Sequence, residues 1–198
     1  LSTGSSGAKV MLARPPSAHA FQPTIGNHED ERDFEFIDYY DRLFADAGFE
    51  GDRRHYKIES GGLHFFSVDS EGDLSIGSEQ GRWLEAGLAA AAAEDGFRGS
   101  VVYMHRPFIS VGDGGSLPDL RAHYEPLFED YGVRLVLAGH MHGYERFTSG
   151  TVVYIVSGGG GGLIGDVSAA VKERPEEAAL RDAFAAAVGI KFAPLAFG

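Results

Sequence analysis

Residues 136–146 read VLAGHMHGYER, and the fold follows from how that stretch is read. Val133–Ala138 is rich in Val and Leu, which predicts a buried strand. Gly139 ends it, and His140 and His142 follow at i and i+2. Extended backbone with that spacing puts both imidazoles on one side. Neutral imidazole is the commonest metal ligand, and the end of a buried strand holds it in place. An isolated His-x-His is more simply a polar turn, so the reading depends on the rest of the chain.

Two further strand ends deliver side chains of the same chemistry. Gly99–Met104 reads as a buried strand that runs into His105, Arg106 and Pro107. Residues 21–25 read as a short strand, with Pro23 marking an edge or a strand start. Gly26, Asn27, His28, Glu29 and Asp30 follow directly as a ligand loop or a simple Asn turn. In an α/β domain, ligands gather outside the carboxyl ends of neighbouring strands. Three strand ends carrying Asn27 and His28, His105, and His140 with His142 therefore make a site. Imidazoles with an amide oxygen suit Zn, Fe or Mn rather than Ca or Mg.

Between these blocks the pattern alternates. Residues 33–47 predict a helix with Phe34, Ile37, Tyr40 and Phe44 on one face and Gly48 after it. Residues 55–59 and 63–68 flank Ser60-Gly61-Gly62 and predict a β-hairpin. His55 and His64 within it read as structural or surface residues. Asp69 and Ser70 end the second strand, where turn initiation or capping explains them as well as ligation does. Residues 78–93 predict a helix capped by Ser78, and residues 118–131 another that Pro126 kinks or divides. Residues 151–156 predict a strand running into five glycines. No Gly-Lys-Ser/Thr follows them, which excludes a nucleotide P-loop. Residues 174–188 predict a last surface helix.

Composition narrows the functions. At 198 residues the chain is one domain with extensions: a flexible or incomplete segment over 1–20, a core over 21–165, and a helix with the start of a strand over 166–198. The formal charge of −12 and the absence of a Lys/Arg-rich tract exclude a nucleic-acid surface. No apolar run is long enough to span a bilayer. With no cysteine there is no disulfide and no thiolate metal site.

Gly26-Asn27-His28-Glu29, the strand ending in His105, and 139-GHMHGYER-146 together resemble the calcineurin-like metallophosphoesterases, most closely the purple acid phosphatase branch. HFFSVDS at 64–70 and GSEQGRWL at 77–84 support the resemblance, which covers roughly residues 23–160. It implies a partial αββα sandwich with mixed sheets, missing its first strands. It further implies a phosphate ester substrate and two metal ions, Fe with Zn, Mn or Fe. In that likeness Asn27, His105 and His140 are ligands of one ion and His142 of the other. His28 protonates the leaving oxygen, with Glu29 or Asp30 keeping it charged. Arg106 and Tyr144 stand close to the substrate or brace the loop. Met141 points away into packing. A secreted or periplasmic location is implied by the family alone.

The pattern also departs from the family. Its two earlier blocks supply carboxylates, one of them bridging the metals, yet residues 1–25 hold no Asp or Glu. The expectation is a fragment of a longer phosphoesterase with weak or no turnover of its own. Two alternatives stay open: a phosphodiesterase of the same superfamily, and a non-catalytic domain that binds one metal or a phosphorylated ligand.

Overall fold

The structure is a computed structural model and describes residues 22–30, 54–111 and 117–159. The expectations for residues 1–20, 33–47 and 166–198 lie outside the described residues. After a single helical turn, α1 (Asn27–Asp30), come β1 (Tyr56–Ser60), β2 (Leu63–Ser67), α2 (Glu79–Ala92), β3 (Gly99–Met104), α3 (Pro118–Asp130), β4 (Val133–Ala138), β5 (Tyr144–Ser149) and β6 (Val152–Ser157). The strands form one mixed sheet in the order β1-β2-β3-β4-β6-β5. Of the sheets implied by an αββα sandwich, the described residues contain this one.

The interior strands β2, β3, β4 and β6 are parallel, and β1 and β5 close the edges antiparallel. The β1–β2 hairpin turns on Gly61 and Gly62, with φ of 60° and 79°. A two-residue turn with both φ positive matches the twist of the strands and is open mainly to glycine. The register places Phe66, Val102, Val136, Tyr154 and Phe147 in one row across the sheet. All five are buried in the main core, with Leu84, Leu88 and Ala91 of α2 and Tyr124 and Phe128 of α3. The rings of Phe108, Tyr124 and Phe128 stack at centroid distances of 5.6–5.9 Å. Each such side chain contributes about 1.5–3 kcal/mol through burial.

The helices form where the local sequence allows. Ser78 caps α2 by accepting the Gly81 N–H at 2.9 Å. α3 begins with Pro118, which needs no donor there. Pro126 neither breaks nor divides it; the helix is continuous through it. Among the described residues, no helix is long and apolar enough to cross a membrane.

Two further expectations are corrected. Residues 22–26 are not part of a strand. Pro23 has no N–H for a ladder, and side chains tie the segment down instead. Tyr56 and Ser67 hydroxyls donate to the Pro23 carbonyl, and Thr24 Oγ1 donates to Val68 O at 3.2 Å. Residues 144–149, of which Tyr144 reads in the sequence as standing by the substrate or bracing the loop, are the edge strand β5.

Candidate metal centre

The four parallel strands all point their carboxyl ends the same way, so the segments after them share one edge of the sheet. Met104 pairs with Ala138 at the ends of β3 and β4. The next residues continue the contact, with Gly139 N–H donating to His105 O at 3.0 Å. His105 and His140 thus become neighbours although 35 residues separate them. That alignment depends on an irregularity at the other end of the pair. Ser100 faces Val133 and Val101 faces Leu135, which leaves Arg134 as an extra residue.

Three donor atoms meet there. His105 Nε2 lies 2.6 Å from Asn27 Oδ1 and 3.0 Å from His140 Nδ1, and Asn27 Oδ1 lies 3.2 Å from His140 Nδ1. Ligands about 2.1 Å from one ion sit roughly 3.0–3.4 Å from each other in octahedral or tetrahedral arrangements. Two sides of the triangle, 3.0 and 3.2 Å, have that size and the third, 2.6 Å, is shorter; its atoms are the amide oxygen and imidazole nitrogens that Zn, Mn and Fe accept. The residues present therefore fit a metal ion.

Each of the three side chains is held from behind. Asn27 opens α1, a helical turn rather than a loop. The Glu29 carboxylate caps it by accepting the Gly26 N–H at 2.9 Å. Gly26 lies against the His105 ring, and a Cβ on it would sit 2.7 Å from the ring carbon Cγ. His140 has φ of 63°, the one non-glycine with positive φ among the described residues. Such a conformation costs about 1–2 kcal/mol and aims Nδ1 back at His105. Gly158 packs against the Met141 carbonyl so closely that a Cβ would overlap it. Met141 itself is buried in the core.

Burial pushes His105 down to about 4, helped by the positive charges of His140, Arg106, His28 and His142. His140 is lowered too, first by burial and then by Arg106. Both imidazoles are neutral at neutral pH, as metal ligation requires. The same interactions show that His28 and His142 lie within electrostatic reach of the pair. Both are exposed.

Arg106 spans the site. Its N–H donates to Ser70 Oγ at 2.8 Å, and its Nε contacts both Glu71 oxygens at 2.9 and 3.0 Å. Its Nη1 lies 3.0 Å from His140 Nε2. Sequence reasoning passed over Glu71. The signal for Glu71 was its place just after β2, beside the residues after β3. Asp69, open to either role in the sequence, is structural. It is buried, pairs with Arg54 at 2.8 Å and accepts the N–H groups of Glu71 and Gly72. Tyr144 is exposed at the start of β5, and Glu145 is buried with its carboxylate accepting the Val111 N–H at 3.2 Å.

The sequence profile of the calcineurin-like phosphoesterases matches residues 8–144. The chain belongs to that family. Within it, the chain is 30% identical over 139 residues to purple acid phosphatase 18 of Arabidopsis thaliana, covering 66% of this chain and 31% of that one. It is 30% identical over 166 residues to a phosphoenolpyruvate phosphatase of Allium cepa, covering 77% and 34%. It is 35% identical over 145 residues to an uncharacterized protein of Mycobacterium tuberculosis H37Rv, covering 64% and 27%. The chain thus spans between 27% and 34% of the length of these relatives. The fold resembles that of a purple acid phosphatase from yellow lupin seeds, with a TM-score of 0.51 at 23% identity, covering 59% of this chain and 25% of that one.

Proposed function

We propose that this calcineurin-like phosphoesterase contributes to hydrolysis of phosphate monoesters at a dinuclear metal centre, in the manner of the acid phosphatases it resembles. Asn27, His105 and His140 hold one ion, and His142 is a ligand of the second, with Fe beside Zn, Mn or Fe as the ions. The observation that carries this reading is the meeting of Asn27 Oδ1, His105 Nε2 and His140 Nδ1 within 2.6–3.2 Å. Bound ions supply positive charge that polarises a phosphoryl oxygen and acidifies water.

The chain's own groups do the rest. The imidazoles of His105 and His140 are neutral, so ligation needs no net loss of a proton, although His140 must shift its own proton from Nδ1 to Nε2. Arg106 places a fixed positive charge beside His140, where an anionic phosphoryl group gains from it. His28, exposed next to Asn27, passes a proton to the leaving oxygen as the ester bond breaks. Water supplies the hydroxyl that ends on phosphorus, so no covalent enzyme intermediate is needed.

The test compares an aryl phosphate with a bis-aryl phosphate, with metal content measured in parallel. The expected result is metal-dependent monoester turnover that His105→Ala abolishes. His28→Ala lowers it by about 10²–10⁴-fold, most for poor leaving groups. A strong diester preference would move the assignment to a phosphodiesterase. A second reading, a domain that binds one metal without turnover, is favoured by the contrast between three converging ligands and His142. One equivalent without turnover supports it; two equivalents with turnover exclude it.

A further inference from the structure

A second cluster of ligand-type side chains lies at the opposite end of the sheet. His64, the second residue of β2, pairs across the hairpin with Glu59 of β1 and across the parallel ladder with Ser100 of β3. Ser100 precedes His105 by five residues of extended chain, so about 16 Å separate the two levels of the sheet. The phosphoesterase site does not use this end.

His64 is 1% exposed, yet neither ring nitrogen has a hydrogen-bond partner. Native structures rarely leave a buried imidazole so. Its Nε2 instead stands 3.3 Å from Glu94 Oε2, just beyond the end of α2. One ligand atom each from Glu59, His64 and Glu94 lies within 4.8 Å of the others. The carboxyl end of α2 adds partial negative charge, and its last turn carries no basic residue. The cation facing the cluster is Lys57, whose Nζ is 3.4 Å from Glu94 Oε1 and packs over the Phe66 ring.

We propose that Glu59, His64 and Glu94 form a divalent-cation site that takes Zn²⁺. One imidazole with two carboxylates suits zinc, whereas Ca²⁺ and Mg²⁺ favour oxygen alone. Glu59 is exposed and its side chain has the freedom to close the remaining gap. Zinc there ties the β1–β2 hairpin to the end of α2 and gives the buried His64 nitrogen a partner. Lys57 competes with the ion for Glu94.

The experiment is a Zn²⁺ titration of the whole chain, read by metal content after gel filtration and by the ¹⁵N shifts of the His64 imidazole. Glu59→Gln with Glu94→Gln alters two exposed side chains, so the fold persists and the count is a difference. The wild type should retain one more zinc than this variant, and zinc should move the His64 ring resonances only in the wild type. Lys57→Gln should tighten the binding several-fold by removing the competing ammonium. His105→Ala should leave the His64 shifts intact, which separates this site from the phosphoesterase centre. Equal zinc content in the wild type and the double variant, or a His64 ring that zinc does not move, overturns the proposal.

Discussion

His105 Nε2 lies 3.0 Å from His140 Nδ1, and both nitrogens face the Asn27 amide oxygen. A neutral imidazole carries one proton on its two nitrogens. Three electron-rich atoms at this spacing therefore share few protons among them. An ion at the centre of the triangle would satisfy all three.

His140 holds strain in its own backbone, with φ of 63°. Asn accepts the left-handed conformation more readily than most residues, so His140→Asn should relieve about 1 kcal/mol of it. In chelator, urea unfolding should find the variant at least as stable as the wild type. Zinc should stabilise the wild type by about 2.7 kcal/mol at a hundred times its dissociation constant, and the variant far less. A metal-free loss of more than about 1 kcal/mol would mean that the imidazole serves the fold instead.

Gly26 tests the positioning of His105 without changing any ligand. A methyl group there would sit 2.7 Å from His105 Cγ and 2.8 Å from Nδ1. The ring must move, since the nearest atoms all belong to it. Gly26→Ala should cost about 1–3 kcal/mol in unfolding experiments and weaken metal binding by calorimetry. Unchanged affinity would show that the ring has room to adjust.

The parts of this fold that were legible in the sequence are those whose pattern is local. Gly99–Met104 and Val133–Ala138 read as strands because Val, Leu and other strand formers dominate them, and the structure gives the same bounds. Gly61-Gly62 and Ser78 announce a turn and a cap by residue type alone. β5 was missed because its alternation is disguised. The residue facing inward beside Phe147 is the buried Glu145, where an apolar side chain would have shown the period of two. The extra residue at Arg134 that aligns His105 with His140 belongs to a pair of strands, not to either one. The link from Arg106 to Glu71 joins segments 35 residues apart in the same way. His64 read as structural or surface; its burial beside two carboxylates comes from the hairpin register and the end of α2.

Arg106 holds His140 in one tautomer. Its Nη1 donates to His140 Nε2, which places the imidazole proton on Nδ1. Ligation through Nδ1 moves that proton to Nε2, where it faces the guanidinium. Arg106 must then turn away, and its charge opposes an incoming cation as well. Arg106→Gln should therefore bind Zn²⁺ several-fold more tightly while raising KM for an aryl phosphate. Calorimetry and steady-state kinetics separate the two effects. Weaker zinc binding in the variant would refute the competition.

The metal-free chain should lose stability as acid rises through the range set by His105. An unfolded histidine titrates near 6.5, whereas burial holds His105 at about 4 in the native state. Between those values the unfolded chain binds the extra proton, so stability increases with pH. The contribution of the neutral imidazole is fully present above about pH 6.5 and fades as pH falls toward about 4. His140, lowered in the same direction by burial and Arg106, adds to the slope. Urea midpoints measured in chelator across this window should fall with acidity, and His105→Gln should flatten the trend. Saturating zinc should steepen it, because protons then compete with the ion for the same nitrogens. A midpoint independent of pH in the wild type, or one that rises toward acid, would mean that burial does not depress His105 in the folded protein.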